Sequence, residues 1–378
     1  MIAIRSNFFY TRTVPCELWH FDKNKPPLPP GEGGGEGAHL NHKGNVLMFD
    51  ARNIYRKVTR KIYDFSPEQQ ANLTAIVWLY RGQRERFLGL VADYCARLAS
   101  ESAAIAPALT EFETQLSASR APLAVFAASV AELDSIAPEK QQACADVMAE
   151  WADAANAYAA DRSALTAGIE KFINSPLPLA GAPKAGNPLG AEAPAELIQG
   201  LGERERNDAQ HAARRAFDPL ADAARGLVKQ IDLLYKLAAR AAQLAQELSM
   251  DEAAAEFFDR RATGKLIKQL DEARKVAVEQ LKDACYLHRQ IAWLQDRFPN
   301  AEMQDVPGLC KVVSRADIEA ADWSLTPGRY VGVAPAEVDE DFDFEQTLRD
   351  IHVELADLNR EAVELAAKIQ ENFEELGV

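Results

Sequence analysis

A chain of 378 residues that is 48% hydrophobic and 26% charged can bury sizeable cores, but its net charge of −15 makes it a poor general binder of nucleic-acid phosphates. No apolar run approaches the roughly 20 residues needed to cross a bilayer, and the charged start MIAIRSNFFYTRT is no secretory leader, so a cytoplasmic protein is expected. Cys16, Cys95, Cys144, Cys285 and Cys310 are scattered and form no CxxC pair, which argues against a disulfide framework or a zinc site.

The charge is unevenly placed. Residues 1–62 carry 10 Lys/Arg against 5 Asp/Glu, a balance of +5, whereas residues 306–378 carry 6 against 17, a balance of −11. Any DNA contact is therefore expected from the basic N-terminal portion or from a partner.

In chain order, Val14 to Phe21 (VPCELWHF) and Asn45 to Phe49 (NVLMF) read as two short strands of a hairpin. The segment between them holds Pro26-Pro27, Pro29-Pro30 and GEGGGEG. It lacks the Lys-Ser/Thr of a phosphate-binding loop and carries two Glu, so it reads as a flexible tip, with His39 and His42 solvated. A two-stranded ribbon cannot cover its own apolar face, and no convincing strand set follows. The hairpin is thus expected to join a sheet supplied by another polypeptide or by a missing segment.

Arg52, Arg56, Lys57, Arg60 and Lys61 place five basic residues within ten, and on a helix their spacing would gather several on one side; a solvated face is the plain reading, and the alternative makes them the candidate DNA contacts. Ser66-Pro67-Glu68 is a helix start, with Ser as N-cap and Pro in the first turn. Further helices are expected over Arg84 to Ile105, Ala108 to Ile136 and Glu139 to Ile173, punctuated by Pro107, Pro122, Pro138 and Pro176. Residues 175–194 form a Pro/Gly/Ala linker. Helices resume from Phe217 to Leu248 and from Asp251 to Phe298. There Leu227, Ile231, Leu234, Ala238, Ala241, Ala245 and Leu248 form one apolar seam, and Ile267, Leu270, Ala277, Leu281, Ala284, Ile291, Leu294 and Phe298 form a facing one. Cys285 and His288 lie three apart on that helix with no further ligands, so burial in the core is expected rather than a metal.

Asp305 to Gly332 reads as a compact, non-helical block whose Pro-Gly pairs force turns. The last segment is the clearest periodic signal. Phe344, Ile351, Leu358 and Leu365 form one heptad series and Leu348, Leu355, Ala362, Ile369 and Leu376 the other, a coiled-coil seam that must lie against something, either the chain's own helical hairpin or a partner. Asp339, Glu340, Asp341, Asp343 and Glu345 precede or flank it and would keep it off DNA.

The string VPGLCK at 306–311, then LTPGRYVG at 325–332, an acidic spacer and a closing heptad helix resembles the C-terminal region of methylation (M) subunits of type I restriction-modification systems. That family methylates adenine at N6 in DNA with S-adenosylmethionine. Its landmark residues here are Pro307, Gly308, Thr326, Pro327, Gly328, Arg329 and Tyr330. FFYTRTVPCELWHFDK at 8–23 and GNVLMFDAR at 44–52 look like the last two strands of the family's Rossmann-like catalytic domain, and Tyr80-Arg81-Gly82 resembles a landmark that often closely precedes the VPG block. Here more than two hundred residues separate the two, a departure from the compact members.

The periodic segments give an expected fold that is mainly α, of long helical hairpins and coiled coils, and the resemblance makes the short N-terminal β-hairpin a remnant of a methyltransferase sheet. The expected segments are a methyltransferase remnant at 1–62, helical regions at 63–174 and 195–303 around the linker, the motif block at 304–338 and the coiled-coil helix at 339–378. The family's donor-binding turn and its Asn-Pro-Pro-Phe type motif do not occur: Asn187-Pro188 and Asp218-Pro219 are each followed by Leu. No catalytic, cofactor-binding or metal-binding residue is therefore assigned. S-adenosylmethionine is expected only in the complete enzyme, with the catalytic motifs upstream of Met1 or on a separate chain.

The implied partners are the specificity (S) subunit, which in the family packs on the closing helix, an upstream methyltransferase segment, DNA within the complex and a restriction subunit, with no membrane. The chain alone is expected not to transfer methyl groups. The alternative from another class is a non-enzymatic coiled-coil scaffold.

Overall fold

The computed structural model describes residues 1–8, 13–21, 44–59, 62–175 and 202–333, together with Leu348, Ile351, Leu355, Ala362, Leu365 and Ala366. The expected Gly-rich tip, His39 and His42, and all but the first residue of the linker lie outside them.

The chain is mainly helical. After a short helix α1 (Pro67–Tyr80), four long helices follow: α2 (Arg84–Val130), α3 (Pro138–Ile173), α4 (Glu203–Leu248) and, beyond the single turn α5 (Glu252–Ala255), α6 (Arg260–Arg297). Ser66 starts α1 as expected: its Oγ accepts from Gln69 N–H at 3.1 Å, while Gln69 Oε1 accepts from Ser66 N–H at 2.9 Å. Pro138 opens α3 at its first turn.

Pro107 and Pro122, however, do not divide the region; both lie inside the 47-residue α2, which runs for about 70 Å. The physical reason is their side of the helix. Each removes the hydrogen bond to the carbonyl four residues earlier, at Ala103 and Ala118, and all four residues are exposed, where water can reach those carbonyls. Pro219, with Arg215 exposed four residues before it, is carried inside α4 in the same way.

The helices before and after the linker pack as one bundle, α2 against α6, α4 and α3, and α4 against α3 and α6. Every residue of the predicted α4 seam is buried, and so is the facing stripe of α6 except half-buried Ile267. Trp151, Phe112, Phe126 and Phe217 fill the core. Each such side chain contributes about 1.5–3 kcal/mol on burial.

A four-stranded sheet caps the bundle, in the order β2 (Cys16–Leu18), β1 (Ile2–Ile4), β3 (Asn45–Asp50), β6 (Cys310–Ser314). This overturns the expected hairpin. The two strands read from the sequence are not neighbours: β1 lies between them, antiparallel to β2 and parallel to β3, and β6 pairs with β3 from Asn45↔Ser314 to Phe49↔Cys310. Among the described strands, the same polypeptide therefore supplies the sheet, and the expectation that the pair relies on another chain for its sheet is not met. The N-terminal residues are built in: the Met1 ammonium donates to Leu47 O at 2.9 Å, and Phe49 N–H to Met1 O at 3.0 Å.

β3 explains its own unbroken apolar run. Leu47 and Phe49 face the helical bundle, while Val46 and Met48 face a second small core with Val313, Ile318, Val331, Leu325 and Tyr330. That second core is the underside of the motif block, which forms β6, helix α7 (Arg315–Ala320) and a 3-10 turn at Pro327–Arg329. The block expected to be non-helical thus contains a strand and a short helix, the latter started by Ser314 and Asp317 capping one another.

Candidate DNA-facing and partner-facing surfaces

The two halves of the VPG and LTPGRYVG string meet at the end of β3. Pro307-Gly308 makes the turn into β6, with Gly308 at φ +73, a conformation that glycine accepts without strain. Gly308 N–H donates to Val331 O at 2.6 Å, tying the halves together, and Asp50 N–H donates to Leu309 O at 2.8 Å, tying them to β3. Pro327 is buried, and the 3-10 turn packs on β3 and β1. The Tyr330 hydroxyl donates to Ser324 O at 2.5 Å, and Arg329 Nη1 lies 3.4 Å from Ala321 O. Thr326 caps the turn by position, without a side-chain bond.

Arg52 belongs to this junction. Its guanidinium grips the Asp50 carboxylate, Nε to Oδ1 at 2.9 Å and Nη2 to Oδ2 at 2.5 Å, while Asp50 is only 8% exposed. Gly328 passes directly over the pair. Sequence reasoning placed Arg52 among the DNA contacts and had no means of finding Asp50, since the pairing requires the turn after β3.

The other basic residues are not helical. Arg56 and Lys57 lie on β4 (Arg56–Thr59), which pairs antiparallel with β5 (Ile62–Asp64) as a separate two-stranded ribbon. Arg60 and Lys61 connect the strands in sequence and lie outside the described residues. The reason is legible afterwards: Val58, Thr59, Ile62 and Tyr63 are β-formers on either side of the Arg60-Lys61 pair. Arg56 forms a two-point pair with Asp64, Nε to Oδ1 at 2.9 Å and Nη2 to Oδ2 at 2.7 Å, which lowers the carboxyl's pKa. Lys57 is exposed. Arg5, which composition alone did not single out, lies over the rings of both Tyr55 and Tyr63, 4.1 and 4.5 Å from their centroids, while the two rings meet each other edge-on at 5.1 Å.

Of the closing seam, Leu348, Ile351, Leu355, Ala362 and Leu365 are described, and all are helical. Their apolar face is in water: Leu348 is 49%, Ile351 54%, Leu355 57% and Leu365 58% exposed. The bundle does not cover them. Phe344, Leu358, Ile369 and Leu376 lie outside the described residues. A second exposed apolar group, Val14, Leu18, Trp19 and Phe21, lies on and beside the edge strand β2.

Where α1, α2 and α6 meet, a set of polar side chains is joined by hydrogen bonds. The Tyr94 hydroxyl donates to Asn72 Oδ1 at 3.0 Å, Asn72 Nδ2 to Gln290 Oε1 at 2.9 Å, Arg97 Nη2 to Glu68 Oε1 at 3.0 Å, and the Tyr286 hydroxyl to Glu68 Oε2 at 3.2 Å. Burial raises Glu68, but its backbone hydrogen bond, Arg97 and Tyr286 outweigh that, and its pKa ends below the ordinary carboxylate value. Such a network joins α1, α2 and α6 and performs no chemistry by itself. Burial pushes the Cys95 and Cys310 thiols up to about 12, so neither is a nucleophile at neutral pH.

His288 and Cys285 are both buried, and His288 Nε2 lies 2.7 Å from Asp218 Oδ1. Among the described residues no group of three or more His, Cys, Asp and Glu could hold a metal, and no helix is long and apolar enough to cross a membrane. β1 leads into Arg5-Ser6-Asn7 and not into a helix, and the buried Asp50 carboxylate after β3 is held by Arg52.

Compared with models of protein families, with curated proteins and with solved structures, the chain matches none.

Proposed function

We propose that this chain is the C-terminal part of a type I restriction-modification M subunit, serving adenine-N6 methylation of DNA as part of a complex and holding the specificity subunit through its closing helix. The observation that carries the reading is the VPGLCK and LTPGRYVG string. Its two halves behave as one unit, joined by the Gly308 to Val331 hydrogen bond and set against β3, so the resemblance spans a folded module and not scattered matches. Two surfaces support assembly: the exposed seam at Leu348, Ile351, Leu355 and Leu365, and the apolar edge at Leu18, Trp19 and Phe21. Coiled-coil seams left in water are stable only when another helix covers them. On this reading the donor and the target adenine are bound by a methyltransferase segment or chain other than the residues described, and S-adenosylmethionine belongs to the complete enzyme.

The experiment is co-expression with a specificity subunit and a methyltransferase chain encoded beside it. Co-purification of all three, DNA adenine methylation by the assembly, and loss of the specificity subunit in the I351E/L355E variant are expected. Methylation of duplex DNA by the 378-residue chain alone overturns the reading. Self-association through the seam, with no capture of a specificity subunit, favours the scaffold alternative instead.

A further inference from the structure

The β4–β5 ribbon is an arm anchored at its base. Its base is held by the Arg5 guanidinium lying over both Tyr55 and Tyr63, by Tyr63 N–H donating to Asn7 O at 3.3 Å, and by Phe8 against Phe65 at 4.4 Å. Beyond that base the strand is bare: all four residues of β4 are exposed, and its extensive packing is with β5 alone. A bulge falls at Val58, between the pairs Lys57↔Tyr63 and Thr59↔Ile62. Bulges add twist to a ribbon and re-aim its side chains.

A chain of net charge −15 repels polyanions in general, yet its exposed strand carries Arg56 and Lys57 with one acid, Asp64, opposite. Among the described residues Lys57 has no ion pair, whereas Arg56 is clamped at Nε and Nη2 by Asp64. A two-stranded ribbon is the width the major groove of B-DNA admits, about 12 Å, and cations on such a ribbon reach the flanking phosphates.

From this we infer that the β4–β5 ribbon is a duplex-DNA contact seated in the major groove, with Lys57 on a backbone phosphate and Asp64 restraining Arg56 so that phosphate must compete for it. The inference deepens the functional reading above and rests on it for the identity of the polyanion. It differs from a generic basic patch in one respect. The acid is part of the device, and removing it strengthens binding.

The test is fluorescence anisotropy of a labelled duplex of about 30 base pairs across a salt series, on the 378-residue chain and on any co-purified assembly. K57A is expected to weaken binding about tenfold at low salt and to reduce the salt slope by about one, D64N to tighten binding and steepen the slope, and K268E, an exposed lysine on α6, to change neither. Protection of guanine N7 from methylation by dimethyl sulfate reads the groove. Absence of duplex binding by the chain and by the assembly, or equal behaviour of wild type, K57A and D64N, overturns the inference. So does a K57A variant that binds DNA normally but loses a protein subunit, which makes the ribbon a protein contact. Failure to capture a specificity subunit, with the two variants still moving DNA affinity in opposite directions, sinks the functional reading and leaves the ribbon standing.

Discussion

Gly328 lies against the Arg52 guanidinium: a Cβ at residue 328 would lie 2.7 Å from Arg52 Nη2 and 3.6 Å from Asp50 Oδ2. Backbone conformation does not require this glycine of the LTPGRYVG string, since Gly328 lies in a right-handed 3-10 turn; what a side chain there would meet is the Arg52 contact over β3.

It follows that G328A forces the Arg52 fork off Asp50 and leaves a carboxylate that is 8% exposed without its bidentate partner. A loss of about 1–2 kcal/mol is expected, read from denaturant unfolding. In an R52A background the alanine meets no obstacle, so the second loss should shrink to near zero, a coupling that a double-mutant cycle measures. Additive losses would show that the two residues do not touch.

The helices were legible because their pattern is local. The α4 and α6 seams recur every three or four residues, and each seam residue but Ile267 is buried where the periodicity put it. The sheet was hidden for the opposite reason. β1 is three residues long, too short to show alternation, and β6 lies more than two hundred residues from its partner β3. At Arg56 to Asp64 the cations drew attention from the β-branched and aromatic residues around them, so charge suggested a helix face where propensity favoured a ribbon. The Asp50 to Arg52 clamp and the Glu68 network needed a third dimension altogether.

Pro107 and Pro122 yield a second expectation. Both are exposed inside α2, where alanine restores a backbone hydrogen bond that proline forbids. P107A and P122A should each stabilise the chain by about 1 kcal/mol and raise the melting temperature measured by circular dichroism. A fall in melting temperature would mean that the prolines relieve a bend the bundle requires.

Acid should loosen the bundle in two steps. His288 has its pKa lowered by burial, which Asp218 opposes and Arg214 and Arg225 reinforce; its Nδ1 is buried with no hydrogen-bond partner. The folded chain therefore holds the neutral ring. As pH drops below about 6.5 the unfolded chain binds the proton first, and stability falls until the lower folded value is passed. Glu68 acts lower down: its folded pKa is depressed, so its contribution is complete above about 4.5 and disappears as pH falls through the folded value. Melting temperatures of H288Q should vary less than wild type between about pH 7.5 and 5.5, and those of E68Q less below about pH 4.5.

The two apolar seams of this chain should respond to substitution in opposite ways. Leu234 is fully buried between helices, so L234A removes its packing and leaves a cavity, a loss of about 2–5 kcal/mol. Leu355 occupies an equivalent heptad position yet is 57% exposed, and L355E places a charge where water already is. The unfolding curve of the isolated chain should not change. In an assembly with a covering helix the same glutamate would be buried unpaired, so affinity for that partner should fall by at least 100-fold, as measured by titration calorimetry. If L355E instead destabilised the isolated chain as L234A does, the closing helix would be packing on its own bundle, and its seam would have no place left for another subunit.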